Sequence, residues 1–341
     1  MYRFKDDYSE GCHPNILEAL AKANLVQTEG YGDDIYTQKA IEIIRKKIEN
    51  PNAFIHFVSG GTQANLIVIG SMLKPYESVI SAKTGHINIH EAGAVENTGH
   101  KINEIVTSNG KITPQQIKEV LDMHTDEHMV KPRLVFISNS TEIGTIYTKS
   151  ELEEISNFCK SNDLYLYMDG ARIGSALTSV DNDLTLADIA RLTDIFYIGG
   201  TKNGALAAEA IVINNPEFNT NFRFYLKQKG ALLAKGRLAG IQFGELFKDD
   251  LFFDLALYAN KMADKLRKGI MQNGFSFLTQ SSTNQIFPIF PNKLIEKLNK
   301  KYNFYVWTSI DDTHSAARLV TSWATKQEAV DDFIKDIQSY T

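Results

Sequence analysis

The chain has 341 residues, 43% hydrophobic and 23% charged, the balance of an ordinary globular protein long enough for one large and one smaller domain. A net charge of −5 leaves no basic excess to neutralise phosphates, which argues against nucleic acid as a partner, and no apolar run reaches membrane-spanning length. The opening MYRFKDDYSEG lacks the apolar stretch of a signal peptide, and Cys12 and Cys159 lie far apart without metal-type spacing, so we expect reduced thiols and a cytoplasmic protein.

In chain order, AFIHFVSG predicts a strand ending at Gly60, and TQANLIVIGSML has the apolar spacing of a helix. SVISA reads as a short strand, and TPQQIKEVLDMH as a helix with Pro114 near its first turn. PRLVFISNS predicts a buried strand, and KSELEEISNFCKSN a helix with Ser150 as its cap. The strands LYLYMDG, DIFYIGG and EAIVIN follow. Strands alternating with helices imply an α/β fold with a mostly parallel sheet covered on both faces. Past residue 240 the pattern changes to long amphipathic helices over 245–273, then NQIFPIFP, FYVWTS, ARLVTSWA and a last helix. We therefore expect a large domain over 1–240 and a small α+β domain over 241–341.

Strand ends are where α/β proteins build sites. Four of them carry unusual residues. Ser59-Gly60-Gly61-Thr62 opens a helix, where free N–H groups and glycines can cradle a phosphate; a structural glycine turn is the plainer alternative, and no GK[ST] follows to make a Walker loop. Asp169 ends an apolar strand as a solvated carboxylate, a partner of Arg172, or a partner for a bound cation. Lys202 stands in YIGGTKNG, among glycines that suggest a bulky group close to the backbone, although a lysine after an apolar run is often only a solvated strand end. His86 follows a short strand, and His90 lies four residues on. The surrounding GHINIHEAG is not HExxH, so no metal site is expected. Together the four stretches offer a phosphate anchor, a carboxylate, an amine and a flat cover. Pyridoxal 5′-phosphate requires all four: its aldehyde condenses with a lysine amine, its pyridine nitrogen needs an anion, and its ring takes a flat neighbour such as His86.

With YGDD (31–34), SGGTQANL (59–66), GHINIHEAG (85–93), DGARIG (169–174), GGTKNG (199–204), KGRLAG (235–240) and ARLVTSW (317–323), nearly the whole chain resembles the low-specificity L-threonine aldolases, within the β-eliminating lyase group of fold-type I pyridoxal-phosphate enzymes. The resemblance implies that Lys202 binds the cofactor aldehyde, that Asp169 pairs with the pyridine nitrogen, and that Gly60, Gly61 and Thr62 hold the phosphate. It implies that His86 stacks on the ring near the substrate hydroxyl, and that Arg172 holds the cofactor's phenolic oxygen or the substrate carboxylate. Arg318 would clamp that carboxylate, Arg237 would reach a phosphate, possibly across a subunit interface, and Tyr31 would approach a neighbouring subunit's cofactor. A homodimer or homotetramer with shared sites follows from this. A surface ion pair is the alternative for each arginine, and a core or interface tyrosine for Tyr31.

Two positions depart from the family pattern. Where many members have an early serine on the substrate carboxylate, Asp6 takes the matching place; where many have a histidine in an N-T-H turn, NSTEIG puts Glu142. We expect Asp6 and Glu142 in the substrate pocket, with one carboxyl shifted upward by the other; a solvated loop residue is the alternative for Glu142. Cys12 and His13 read as structural. The expected reaction is cleavage of the Cα–Cβ bond of L-threonine, L-allo-threonine or a related β-hydroxy-α-amino acid to glycine and an aldehyde, with His86 as the base. Alternatives are cleavage of an aryl substrate such as phenylserine, β-elimination, or a pyridoxal-phosphate-binding protein without catalysis.

Overall fold

A computed structural model describes residues 1–340. Its centre is a seven-stranded sheet in the spatial order Phe54–Val58, Glu209–Ile213, Ile195–Gly199, Tyr165–Asp169, Lys131–Ser138, Glu77–Ala82, Ile102–Ile105. Glu209–Ile213 runs antiparallel to both neighbours; the remaining pairs are parallel. The central strands are buried along nearly their whole length, and their side chains alternate between two cores. Leu166, Met168, Phe196 and Ile198 face one, under the helices Ile35–Lys47, Lys149–Ser161 and Arg237–Phe247. Tyr167, Ile195, Tyr197 and Ile211 face the other, under the helix Gly61–Met72.

The second sheet is antiparallel and lies late in the chain. Its central strand is His314–Val320, which pairs with Ile289–Pro291, Tyr305–Ser309 and Gln285–Ile286. The boundary expected at 240/241 falls inside the helix Arg237–Phe247. That helix packs against Ile35–Lys47 so closely that a Cβ on Gly240 would lie 2.5 Å from the Thr37 Cα. The next helix, Leu251–Gln272, joins both parts: Phe252 and Leu255 enter the large core, while Met262, Leu266 and Ile270 enter that of the second sheet. Asp249 and Asp250, with φ of 52° and 61°, separate the helices Arg237–Phe247 and Leu251–Gln272. The N-terminus also belongs to the late part. Tyr2–Arg3 pairs in parallel with Tyr302–Asn303, and Val320 donates its N–H to the Phe4 carbonyl at 2.8 Å.

The helix over KSELEEISNFCKS is capped by Thr148 rather than Ser150. The Thr148 hydroxyl accepts the Glu151 N–H while the Glu151 carboxylate accepts the Thr148 N–H, a reciprocal pair that Ser150, already inside the helix, cannot make.

Candidate active site

The sheet delivers its chemistry to one cleft of about 780 Å³. Tyr165–Asp169 ends in Asp169, Ile195–Gly199 runs into the turn carrying Lys202, and Phe54–Val58 runs into Gly60, Gly61 and Thr62. All of these line the cleft together with His86, Glu142, Arg172 and Arg318.

Asp169 is 3% exposed and firmly held. It accepts the Tyr197 hydroxyl at 2.6 Å, the Ala171 N–H at 2.9 Å and the Asn65 side-chain amide at 3.2 Å. Burial, and then the Asp169 charge, raise the Tyr197 and Tyr167 hydroxyls well above their ordinary range, so both stay protonated donors. No bond joins Asp169 to Arg172, the pairing weighed from sequence. The network continues outward: Asn65 donates to Glu91 at 2.7 Å, and His86 Nδ1 meets the same Glu91 oxygen at 2.8 Å. Burial pulls the His86 imidazole down, but the Glu91 bond and the charges of Glu142 and Asp169 outweigh it, and the net shift is upward. Holding Nδ1 this way leaves Nε2 as the ring nitrogen available to a ligand.

The Lys202 amine makes no hydrogen bond or ion pair among the described residues. Burial and then the nearby Arg172 charge lower its pKa, favouring the neutral, nucleophilic amine. The flanking glycines do a different task from the one the sequence suggests. A Cβ on Gly199 would lie 2.4 Å from the Ala171 carbonyl oxygen, and one on Gly200 2.6 Å from that of Ala208. The bulky group that comes close is neighbouring backbone. Gly61 does face the cleft wall, where a Cβ would lie 2.8 Å from the Tyr197 hydroxyl.

Arg172 lines the cleft, while the N-terminal segment requires a correction. The Arg172 guanidinium is buried and grips Asp7 with two bonds, Nε at 2.7 Å and Nη2 at 3.0 Å. Asn284 donates to the same carboxylate at 2.9 Å. Burial alone would raise the Asp7 carboxyl, yet the Arg172 and Lys202 charges bring it below the ordinary range. Asp6 does not line the cleft. It closes a solvent-facing turn, accepting the Ser9 hydroxyl at 2.7 Å. The segment past Arg3 is irregular, and Asp7 rather than Asp6 turns inward because Arg172 and Asn284 are there to bind it. Asp6 and Glu142 therefore do not share the cleft.

Arg318 comes from the late sheet and donates through Nε at 3.1 Å and Nη2 at 2.5 Å to the Gln285 side-chain oxygen. Burial, then the Arg172 charge, lowers its pKa to about 10, so it remains a cation at neutral pH. Glu142 also makes no hydrogen bond or ion pair among the described residues; it faces His86, His90 and Arg318 across the cleft. His86 and His90 sit on a single helical turn with ring centroids 5.5 Å apart. Among the described residues no group of three His, Cys, Asp or Glu is placed to hold a metal.

Tyr31 and Arg237 are not brought to the Lys202 cleft of their own chain. Their two segments meet each other instead: a Cβ on Gly236 would lie 2.5 Å from the Gly32 nitrogen. Arg237 donates to the Val26 and Asn24 carbonyls, and Tyr31, 44% exposed, lies on a separate groove of about 450 Å³.

The donor set suits a phosphorylated pyridine aldehyde: an unpaired, partly buried amine, a fixed carboxylate, a glycine-lined helix start and an imidazole. Sequence reading passed over Asn65, Glu91, Asp7 and Glu209. The first two lie inside motifs it quoted, yet their role depends on contacts between separate motifs.

Residues 5–292 match the β-eliminating lyase family. A low specificity L-threonine aldolase from Pseudomonas aeruginosa is 32% identical over 98% of this chain and 97% of its own. The structure of a threonine aldolase from Leishmania major superposes with a TM-score of 0.98 at 48% identity, covering 100% of this chain and 99% of that one. An aromatic aminotransferase from Pyrococcus horikoshii, at 17% identity, a TM-score of 0.71 and coverage of 99% and 94%, shares the fold alone.

Proposed function

Because the chain belongs to the β-eliminating lyase family, we propose that it is a pyridoxal-phosphate-dependent aldolase that cleaves L-threonine, L-allo-threonine or a related β-hydroxy-α-amino acid to glycine and an aldehyde. The threonine aldolases it resembles over their whole length support this reading. The observation that carries it is the Lys202 amine, free of hydrogen bonds and lowered in pKa, in one cleft with a threefold-bonded Asp169.

When bound, the cofactor supplies an electron sink for the pair of electrons left at Cα. Lys202 supplies the amine that holds the cofactor aldehyde, and Asp169 holds the proton on the pyridine nitrogen. Gly60, Gly61 and Thr62 offer N–H groups to the phosphate. His86 covers the ring, and through Nε2 takes the β-hydroxyl proton, directly or through water. Arg318 clamps the substrate carboxylate with a planar fork that Gln285 orients. Arg172, already paired with Asp7, fixes the N-terminal segment over the site. Glu142 borders the space beyond Cβ.

Tyr31 and Arg237 serve a neighbouring copy's cleft in a homodimer or homotetramer; the place of their segments on an apolar groove outside their own cleft supports this. No helix among the described residues is long and apolar enough to cross a membrane. We place the protein in the cytoplasm, consistent with two free buried cysteines.

The test is product analysis with L-threonine, L-allo-threonine, phenylserine and L-serine. Glycine plus aldehyde is expected. Pyruvate plus ammonia would replace the aldol reading with β-elimination, and a coloured protein that turns over none of the four would remove the enzyme reading.

A further inference from the structure

The register of the large sheet places a carboxyl group between the two turns that matter most. Glu209 opens its antiparallel strand opposite Val58 on one side and Gly199 on the other. Val58 leads directly into Ser59-Gly60-Gly61-Thr62, and Gly199 into Gly200-Thr201-Lys202. Glu209 is 5% exposed, accepts the Gly200 N–H at 2.8 Å, and lines the cleft beside Gly61, Thr62 and Thr201. Among the described residues no lysine or arginine lies within ion-pair distance of it. The titratable groups facing it are Lys202, Asp169, Tyr167 and Tyr197. Lys202 is the one basic group among these four, and its amine is claimed by the cofactor aldehyde.

A phosphate held by the glycine turn brings negative charge against this carboxyl group. Two anions in a poorly solvated site repel strongly, whereas a protonated carboxyl can donate a hydrogen bond to a phosphate oxygen. Resting on the cofactor reading above, we propose that Glu209 acts as a neutral acid toward the cofactor phosphate, donating a hydrogen bond to it and taking up one proton as the cofactor binds. Burial already pushes the Glu209 carboxyl up to about 7, against the opposing Thr201 bond and Lys202 charge. An adjacent phosphate moves it further the same way.

The sign follows from linkage. A group whose pKa rises on binding favours binding while it is protonated and opposes binding above its unbound value. Pyridoxal-phosphate affinity of the cofactor-stripped protein should therefore fall about tenfold per pH unit above about pH 7. Glu209→Gln keeps an acceptor for the Gly200 N–H and cannot ionise, so its affinity should lack that fall. Visible-absorbance titrations across the range read this directly. Calorimetry at about pH 8 in buffers of different ionisation enthalpy should show about one proton fewer taken up by Glu209→Gln. Pyridoxal, which has no phosphate, should show no such fall with the unaltered protein.

The same fall in both proteins, or with pyridoxal, overturns the proposal. So does a folded Glu209→Gln protein that no longer binds pyridoxal phosphate at neutral pH, and so does the absence of any fall in the unaltered protein, the result expected if a cation from a second copy keeps Glu209 ionised. If Glu209→Gln does not fold, the comparison of pyridoxal phosphate with pyridoxal on the unaltered protein decides. Failure of the unaltered protein to bind pyridoxal phosphate at any pH would overturn the cofactor reading itself, and this proposal with it.

Discussion

The floor of the Lys202 cleft comes from one sheet, whereas its rim comes from four separate stretches of chain. On the floor, Asp169, Glu209 and the turns carrying Gly61 and Lys202 stand at ends of adjacent strands, so backbone pairing fixes their spacing. The rim takes Tyr8 from the N-terminus, His90 from a single helical turn, Glu142 from a loop, and Trp307 and Arg318 from the late sheet. On the floor, Asp169 and Glu209 are buried and hydrogen-bonded. On the rim, Tyr8 is 55% exposed and Glu142 has no bonded partner among the described residues. The difference is one of support: backbone pairing within a single sheet holds the floor, whereas separate segments bring the rim together.

The largest expected effect is at Lys202. Lys202→Ala should lose both the visible absorbance of the cofactor-loaded protein and the activity, with an unchanged circular dichroism spectrum. A coloured, active variant would break the assignment of floor chemistry. Asp7→Asn tests the joint between floor and rim. It leaves the Arg172 guanidinium buried without its anion, and should destabilise the protein by about 3–5 kcal/mol in denaturant melts. The Asp7 pKa is depressed, so its contribution is present above the ordinary carboxylate range and is lost as pH falls through the depressed value. Melts against pH should accordingly show a shallower acid-side decline in Asp7→Asn than in the parent. An equal decline would mean that other carboxylates carry it.

Asp169→Ala should lower kcat on the order of a hundredfold and weaken cofactor retention, since a preorganised charge is removed. Full turnover with tightly held cofactor would reduce Asp169 to an anchor for Tyr197 and Asn65. Arg318→Lys should raise the substrate KM about tenfold, because a point charge replaces a two-pronged donor, while the absorbance spectrum stays the same. A changed spectrum at constant KM would move Arg318 from the rim to the cofactor. The smallest effect belongs to Glu142→Gln: a few-fold change in the ratio of kcat/KM between threonine and phenylserine. Parental ratios on every substrate tested would make Glu142 a bystander.

Asp169 and the turns carrying Gly61 and Lys202 are legible in sequence because each ends an apolar run, whereas Glu209, which opens an antiparallel strand, is not. The identities of Asp169 and Lys202 could thus be singled out before any contact was known. Asn65 and Glu91 could not, although both stand in quoted motifs. Their link from Asp169 to His86 crosses between two helical segments. Asp6 and Asp7 show a sharper limit. Neighbouring carboxylates in an irregular segment have no periodicity to say which faces inward, and the choice is made by Arg172 and Asn284, far away in the chain. Tyr31 and Arg237 belong to motifs as clear as any, yet a single chain does not bring them to Lys202.

The strap formed by residues 2–7 imposes an order on assembly. Strands of the large sheet can pair once residue 213 has been synthesised, bringing Asp169, Lys202 and Glu209 together. The first strand, made before all of them, has no partner until Tyr302–Asn303 emerges, and Phe4 lacks the rings of Tyr302 and Phe333 until they arrive. During translation this segment therefore stays unpaired until residues 302 and 303 have been made. A long fusion at the N-terminus would burden this final stitch, which Asp7 fastens to Arg172 at the site itself, while leaving the earlier pairing of the sheet alone.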